Sequence, residues 1–183
     1  MNIGIPKERR PFEYRVGLSP AGVEILSNHG HTVFVEHEAG IVSGFADEEY
    51  EQAGAHIVFS TEEVYGRADL ILKVARPTED EMKYLQPGST LAGLLSLPSA
   101  SQSKIDALLN NKITAIAYEQ IRESDGSLPV LRPFSQIGGA MAAEVAARFL
   151  LLGPQQRFLR LILGYLIEGI TAHAAPARRG WTI

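Results

Sequence analysis

Six short apolar runs, separated by amphipathic stretches, constrain the fold of this chain more than any other feature of its sequence. Each run is apolar on both faces, as strands buried inside a parallel sheet are. The runs are NIGI at 2–5, TVFVE at 32–36, AHIVF at 55–59, DLILKVA at 69–75, TLAGLL at 90–95 and ITAIA at 113–117. Their alternation with helical segments predicts an α/β fold, in which a doubly wound, mostly parallel sheet carries helices on both faces.

Capping signals mark where the helices between these runs begin. A Ser, Thr or Asp before a helix accepts a hydrogen bond from its first turn, and a Glu three residues later completes a capping box. The signals are Ser19 before Pro20, Asp47 before EEYEQA, Ser60 with Glu63, and Thr78 with Glu81. Further along, the small-residue-rich stretch 134–152 predicts one long helix.

Charge and composition exclude several classes of protein. The chain has 183 residues, a net charge of −4 and no cysteine. The lack of a dense basic patch argues against a nucleic-acid partner, and the lack of cysteine rules out disulfide scaffolds and thiolate metal sites. The five histidines show no metal-ligand spacing, so no metal is expected. No membrane span is expected either, and without a signal-peptide pattern the expected location is the cytoplasm.

Two cations near strand ends are the best candidates for binding a ligand. Arg15 follows the first predicted strand, and Lys73 lies among apolar residues near the end of the fourth. Ligands of open α/β sheets bind beyond the carboxyl ends of the strands, where Arg suits a carboxylate and Lys suits a carbonyl oxygen. The pair therefore predicts a site for a small carboxylate. Two alternatives stay open: Arg15 as an ordinary surface residue, and Lys73 as a lysine whose ammonium reaches solvent.

The C-terminal residues differ in charge from the rest of the chain. Residues 1–150 carry 13 Lys and Arg against 20 Asp and Glu, whereas residues 151–183 carry four Arg against Glu168 alone. Part of this segment, RFLRLILGYLIEGI, has the pattern of a basic amphipathic helix. One hypothesis is a disordered tail. Another is a non-enzymatic binding module whose tail docks a partner.

Six blocks of sequence, in order, resemble the N-terminal half of alanine dehydrogenase and the related alpha subunit of nicotinamide nucleotide transhydrogenase. The blocks are IGIPKE, RVGLSPAGVEIL, GHTVFVEHEAG, ADLILKVARP, AYEQIRESDGSLPVLRPFSQIGG and AAEVAA. The resemblance implies a Rossmann-like N-terminal domain that contacts substrate and a central domain that binds NAD. It implies that Arg15 grips the carboxylate of pyruvate or L-alanine, that Lys73 contacts the carboxylate or carbonyl, and that Ser135 touches the nicotinamide side.

One position departs from the dehydrogenase pattern. Alanine dehydrogenases have a catalytic histidine after the fifth strand, and that position aligns with Ser96. A serine hydroxyl does not titrate near neutral pH and cannot replace imidazole as a general acid–base group. The transhydrogenase branch also lacks this histidine and has a proline two residues on, as Pro98 is here. The block that ends in FSQIGG favours the dehydrogenase branch, and the transhydrogenase alpha subunit is the alternative.

The resemblance ends near residue 152. In the family the chain continues to the glycine fingerprint for NAD, which is missing from 153–183. If the codons of this segment are read one base later, they can encode short motifs like those of the family, so we infer a frameshift near Gly153. The alternative is that degenerate codons allow such matches by chance.

The resemblance also predicts how the chain is organised. The expected parts are a substrate domain at 1–133, a bridging helix at 134–152 toward an absent NAD-binding domain, and a non-family tail at 153–183. We expect this chain to form homo-oligomers, to bind pyruvate weakly, to bind no cofactor tightly, and not to turn over alanine by itself.

Overall fold

A six-stranded sheet, parallel throughout, is the framework of the protein in the computed structural model, which describes residues 1–151. The strands are Asn2–Ile5 (β1), Thr32–Glu36 (β2), Ala55–Val58 (β3), Leu70–Ala75 (β4), Thr90–Leu94 (β5) and Thr114–Ala117 (β6). Each coincides with a predicted run to within one residue at either end. The predicted doubly wound α/β fold is therefore confirmed.

The order of the strands reverses its direction at β1. The order across the sheet is β3-β2-β1-β4-β5-β6, so the chain builds outward from β1 in one direction and then in the other. β1 pairs with β2 from Asn2↔Thr32 and with β4 from Ile3↔Leu70. In open α/β sheets, ligands bind at such a reversal point, beyond the carboxyl ends of the strands.

Six helices follow the strands within residues 1–151, and three of them begin where the capping signals predict. They are Pro20–Asn28 (α1), Asp47–Gln52 (α2), Thr61–Arg67 (α3), Glu79–Met82 (α4), Gln102–Asn110 (α5) and Leu131–Leu151 (α6). Ser19, Ser60 and Thr78 each accept a hydrogen bond from a backbone N–H of the helix that follows.

The prediction that Asp47 caps α2 is wrong by one residue. Ala46 is the N-cap, and Asp47 is the first residue of the helix. The carboxylate of Asp47 instead accepts the backbone N–H of Glu38 at 2.9 Å and contacts the ring of His37. Glu49 caps the N-terminus of α2, because its carboxylate accepts the backbone N–H of Ala46 at 2.8 Å.

The core consists of two apolar clusters, one on each face of the sheet. Alternation along β2 sends Val33 and Val35 to one cluster and Phe34 to the other. The first of these clusters takes Val23 from α1, and the second takes Tyr65 from α3. Helices therefore cover both faces, as predicted.

The chain divides into two compact units, Met1–Tyr118 and a second that begins at Glu119. In the second unit, α6 starts three residues before the predicted helix and carries large apolar side chains that are exposed. They are Phe134, Ile137, Met141, Val145, Phe149 and Leu150. The predicted domain boundaries stay predictions. The predictions for residues 152–183, which include the frameshift and the docking tail, lie outside the described residues. Within 1–151, no helix is both long and apolar enough to cross a bilayer.

Candidate functional site

Lys73 lies in β4, where two glycines allow close approach of the neighbouring backbone. A Cβ on Gly17 would lie 2.3 Å from the carbonyl oxygen of Leu72, and a Cβ on Gly93 would lie 3.0 Å from that of Lys73. Real Cβ contacts are longer than the 2.3 Å found at Gly17, so the loop that carries Gly17 can lie against β4 only because residue 17 has no side chain. That loop also carries Arg15, two residues earlier. The close approach therefore ties the two predicted cations to the same edge of the sheet.

The ammonium of Lys73 is completely buried and paired with two carboxylates. Its side chain is 0% exposed, and its Nζ lies 2.7 Å from Glu81 and 3.1 Å from Glu8. Those two side chains are 3% and 1% exposed. A buried charge requires such partners, because desolvation without them costs several kcal/mol, on the order of the whole stability of a domain. The alternative that the ammonium of Lys73 reaches solvent is wrong.

Glu8 is held by the backbone of β4. Its Oε1 accepts the N–H of Val74 at 2.7 Å and that of Ala75 at 3.4 Å. Its Oε2 is buried and lies 3.1 Å from the Nζ of Lys73. Burial raises the pKa of Glu8, and the charge of Lys73 opposes that rise without cancelling it. Glu8 is thus the carboxylate of the cluster that takes up a proton most readily as the pH falls.

Glu81 links the capping box of α4 to the buried lysine. One oxygen accepts the backbone N–H of Thr78 at 2.7 Å, while the other accepts from Lys73 at 2.7 Å and from the hydroxyl of Tyr65 at 3.3 Å. Burial alone would raise the pKa of Glu81, but the charge of Lys73 and the hydrogen bonds from Lys73 and Thr78 lower it overall. The carboxylate is therefore ionised at neutral pH. Burial also raises the pKa of Tyr65 well above its ordinary value, so that residue stays a donor.

Arg15 is half exposed and bound side-on by a carboxylate two residues away. Its Nε and Nη2 lie 2.8 Å and 2.7 Å from the two oxygens of Glu13, and its backbone N–H lies 3.1 Å from the first of them. The side chain of Arg15 is 48% exposed, against 13% for that of Glu13. The hydrogen bond from Arg15 holds the pKa of Glu13 below its usual range. Glu13 is therefore ionised at neutral pH.

The ion pairs of Lys73 and the ion pair of Arg15 form one electrostatic cluster. The charge of Lys73 also lowers the pKa of Glu13, and the charge of Glu8 also raises that of Arg15. The cluster, which we call the edge cluster, consists of Glu8, Glu13, Arg15, Lys73 and Glu81. A cluster of this kind at a reversal point can orient a small charged ligand, with the guanidinium of Arg15 as its solvent-facing cation.

The other two predicted site residues lie after β5 and in α6. Ser96 is exposed, and its backbone is left-handed, with φ 48° and ψ 45°. Its carbonyl accepts from the hydroxyl of Ser99 at 3.0 Å, which closes a tight turn. Ser135 is partly buried in the first part of α6, in the second unit. Among residues 1–151, no group of three His, Asp or Glu side chains is placed to hold a metal ion.

Sequence reasoning missed most of the contacts that surround the two cations. Glu81 was expected only as a capping residue, and nothing suggested that it also binds Lys73. Glu8 follows β1 by three residues, a position that lies at the carboxyl edge of any parallel sheet, and this placement is the signal that would have found it. Glu13 and Gly17 have no comparable signal, since their roles depend on the path of the loop.

Fold and charge cluster together define a class: a Rossmann-like α/β domain with a cluster of ion-paired side chains at the carboxyl edge of its sheet. A family model described as "Alanine dehydrogenase/PNT, N-terminal domain" matches residues 4–138. The chain belongs to this family.

Curated relatives agree with the family model. Alanine dehydrogenase of Staphylococcus haemolyticus (strain JCSC1435) is 46% identical over 151 residues, which are 82% of this chain and 40% of that protein. Alanine dehydrogenase of Staphylococcus epidermidis (strain ATCC 35984) is 43% identical over 170 residues, 93% of this chain and 44% of that protein. The chain thus spans about two fifths of the length of the curated relatives it matches.

Solved structures of two kinds share this fold. An L-alanine dehydrogenase superimposes with a TM-score of 0.78 at 42% identity, over 85% of this chain and 42% of that one. A transhydrogenase from Sinorhizobium meliloti superimposes with a TM-score of 0.69 at 31% identity, over 81% of this chain and 44% of that one. The higher identity lies on the dehydrogenase side.

Proposed function

We propose that this chain is the substrate-binding part of an NAD-dependent L-alanine dehydrogenase, which converts L-alanine to pyruvate and ammonia. The observation that carries the proposal is the half-exposed guanidinium of Arg15, tied through Gly17 to the strand that holds Lys73. A guanidinium offers two parallel N–H donors to a carboxylate, so Arg15 binds the carboxylate that alanine and pyruvate share. The match to alanine dehydrogenases at 42–46% identity supports the same reading.

In this proposal Lys73 supplies a fixed positive charge for the carbonyl oxygen of pyruvate. Glu8 and Glu81 hold its ammonium in one place, which favours a defined contact over a mobile one. Because the ammonium is fully buried, a direct contact requires the covering side chains to move when the substrate binds. Ser96 stands where the general acid–base group is expected. Its hydroxyl orients a water or the substrate, since it does not titrate near neutral pH.

NAD would accept the hydride, but the first unit does not fit this cofactor. The connection from β1 to α1 runs from residue 6 to residue 19 and lacks the glycine-rich turn that holds a pyrophosphate. Glu36, at the end of β2, stands where a dinucleotide-binding acid would meet a ribose. That carboxylate already accepts from Lys7 N and the Thr61 hydroxyl, both at 2.9 Å, and pairs with Arg9. We therefore place NAD outside this unit, with Ser135 as its contact from this chain.

A transhydrogenase alpha subunit is the second candidate, and Ser96 is the observation that favours it. A serine in place of histidine removes the proton exchange that alanine chemistry needs, whereas transfer of hydride between two nucleotides needs none. The exposed apolar face of α6 further supports self-association of the whole protein, in either branch.

Titration with pyruvate tests the proposal. We expect a dissociation constant in the millimolar range, about −4 kcal/mol, by calorimetry or NMR on the 183-residue chain. The Arg15→Ala variant should lose this binding. Arg67→Ala is the matched control, because Arg67 is similarly exposed, at 53%, and also pairs with a glutamate. No binding by the parent chain, or equal binding by Arg15→Ala, would contradict the proposal.

A further inference from the structure

The side-on edge of the Arg15 guanidinium is already occupied by a carboxylate. Glu13 contacts Nε and Nη2 at 2.8 Å and 2.7 Å, the parallel arrangement in which an arginine binds a free carboxylate. The substrate proposed above brings a carboxylate of the same shape and charge. A substrate carboxylate that binds side-on to Arg15 would therefore compete with Glu13 for the same donors.

The charges of the edge cluster leave no surplus for an incoming anion. Its two cations, Arg15 and Lys73, face Glu13 and Glu81, both of which are ionised at neutral pH. Glu8 adds a third carboxyl group beside Lys73. A bound carboxylate would thus meet a neutral or negative cluster unless one of the carboxylates leaves. Departure of one carboxylate raises the net charge of the cluster by one, which favours an incoming anion.

Glu13 is the carboxylate that is placed to leave. Glu8 and Glu81 are only 1% and 3% exposed, and each accepts a hydrogen bond from a backbone N–H, Glu8 from β4 and Glu81 from the N-cap of its own helix. Glu13 is more exposed, at 13%, and follows a tight turn closed by its own N–H on the carbonyl of Arg10 at 3.2 Å. At the tip of that turn Phe12 has a φ of 65° and is 86% exposed. A left-handed, solvent-exposed phenylalanine is strained, so opening this turn relieves strain.

We propose that Glu13 is an internal stand-in for the substrate carboxylate, which holds Arg15 until the substrate displaces it and so sets the affinity of the site. This inference rests on the proposed role of Arg15 as the carboxylate clamp. It makes Glu13 a specificity-determining residue that favours ligands able to outcompete a tethered carboxylate. Glu13 also keeps Arg15 ordered and neutralised while the site is empty.

The test compares pyruvate binding by the full chain with that by Glu13→Gln and Glu13→Ala. Removal of the competing carboxylate of Glu13 should tighten pyruvate binding by about fivefold. An ion pair of this strength leaves roughly one fifth of the molecules with Arg15 able to bind substrate. Glu63→Gln is the matched control, because Glu63 pairs with Arg67 in the same unit at 2.7 Å. Pyruvamide, which lacks the negative charge, is the probe that should gain nothing. Circular dichroism establishes that every variant is folded.

The direction of the change decides the outcome. Tighter pyruvate binding by both Glu13 variants, with Glu63→Gln and the pyruvamide titrations unchanged, supports the inference. Equal or weaker binding by the Glu13 variants, while the parent chain binds and Arg15→Ala does not, overturns the inference and leaves the proposed function standing. No binding by any of the proteins, Glu13→Ala included, overturns both.

Discussion

Replacing Lys73 by methionine should reveal how strongly the edge cluster depends on its buried cation. Methionine has a similar length and no charge, so the substitution removes the ammonium without leaving a large cavity. Glu8 and Glu81, at 1% and 3% exposure, would then share a buried site without a counter-charge. Breaking a buried ion pair on one side costs about 3–5 kcal/mol, and two carboxylates are affected here. We expect a loss in that range at pH 7, a large share of the stability of a domain of this size.

Urea unfolding followed by far-ultraviolet circular dichroism measures this loss. The penalty should shrink as the pH falls below 7, because burial raises the pKa of Glu8 and a proton then neutralises it. Lys83→Met is the matched control. Lys83 also pairs with a carboxylate, Asp80 at 2.6 Å, but the two side chains are 72% and 85% exposed. Its urea midpoint should not change measurably.

A second variant separates lost pairing from lost packing. Adding Glu8→Gln and Glu81→Gln to Lys73→Met removes both orphaned charges, so most of the lost stability should return. If Lys73→Met loses less than about 1 kcal/mol at pH 7, or if the triple variant is no more stable than the single one, the argument from buried charge fails.

The remaining predictions concern the carboxylates, the loop and the reaction. Glu8 has a raised pKa, so the stability of the parent chain relative to Glu8→Gln should fall as the pH rises above 4.5. Glu81 has a lowered pKa, so the stability of the parent chain relative to Glu81→Gln should fall as the pH drops below 4.5. Urea midpoints measure both changes. Gly17→Ala should cost about 1–3 kcal/mol and weaken pyruvate binding in calorimetry, because the added Cβ would lie 2.3 Å from a carbonyl oxygen of β4. Residues 1–183 by themselves should form no NADH from NAD and L-alanine, since hydride transfer needs the nicotinamide held at about 3–3.5 Å from the donor carbon. Turnover in the usual enzyme range of about 1–10³ per second would contradict this last expectation.

The fold was predictable because its determinants are local. Six apolar runs of the right length, with Ser19, Ser60 and Thr78 ahead of helices, fix where strands and helices begin without knowledge of their partners. Asp47 was assigned to the wrong position because Ala46 offers no side-chain signal, while the carboxylate of Asp47 finds partners across the loop.

The site was predictable only in its cations. Lys73 attracts notice because a lysine inside an apolar strand must find an anion or solvent. Which anion it finds is not a local matter, since Glu8 lies 65 positions away in the sequence and reaches Lys73 only through the pairing of β1 with β4. Glu13 is close to Arg15 in sequence, but their side-on contact depends on a turn whose left-handed Phe12 no pattern predicts.

The left-handed backbone at Ser96 limits which side chains can serve at this position. Few residues other than glycine adopt such a conformation readily; asparagine, aspartate and histidine are the enriched ones, and β-branched residues are strongly disfavoured. Among side chains that exchange protons, the chain path after β5 therefore admits imidazole more easily than glutamate or lysine. The main chain at Ser96 adopts a conformation in which histidine is among the enriched residues. A single exchange at position 96 could thus change the chemistry of this turn without any rebuilding of the backbone around it.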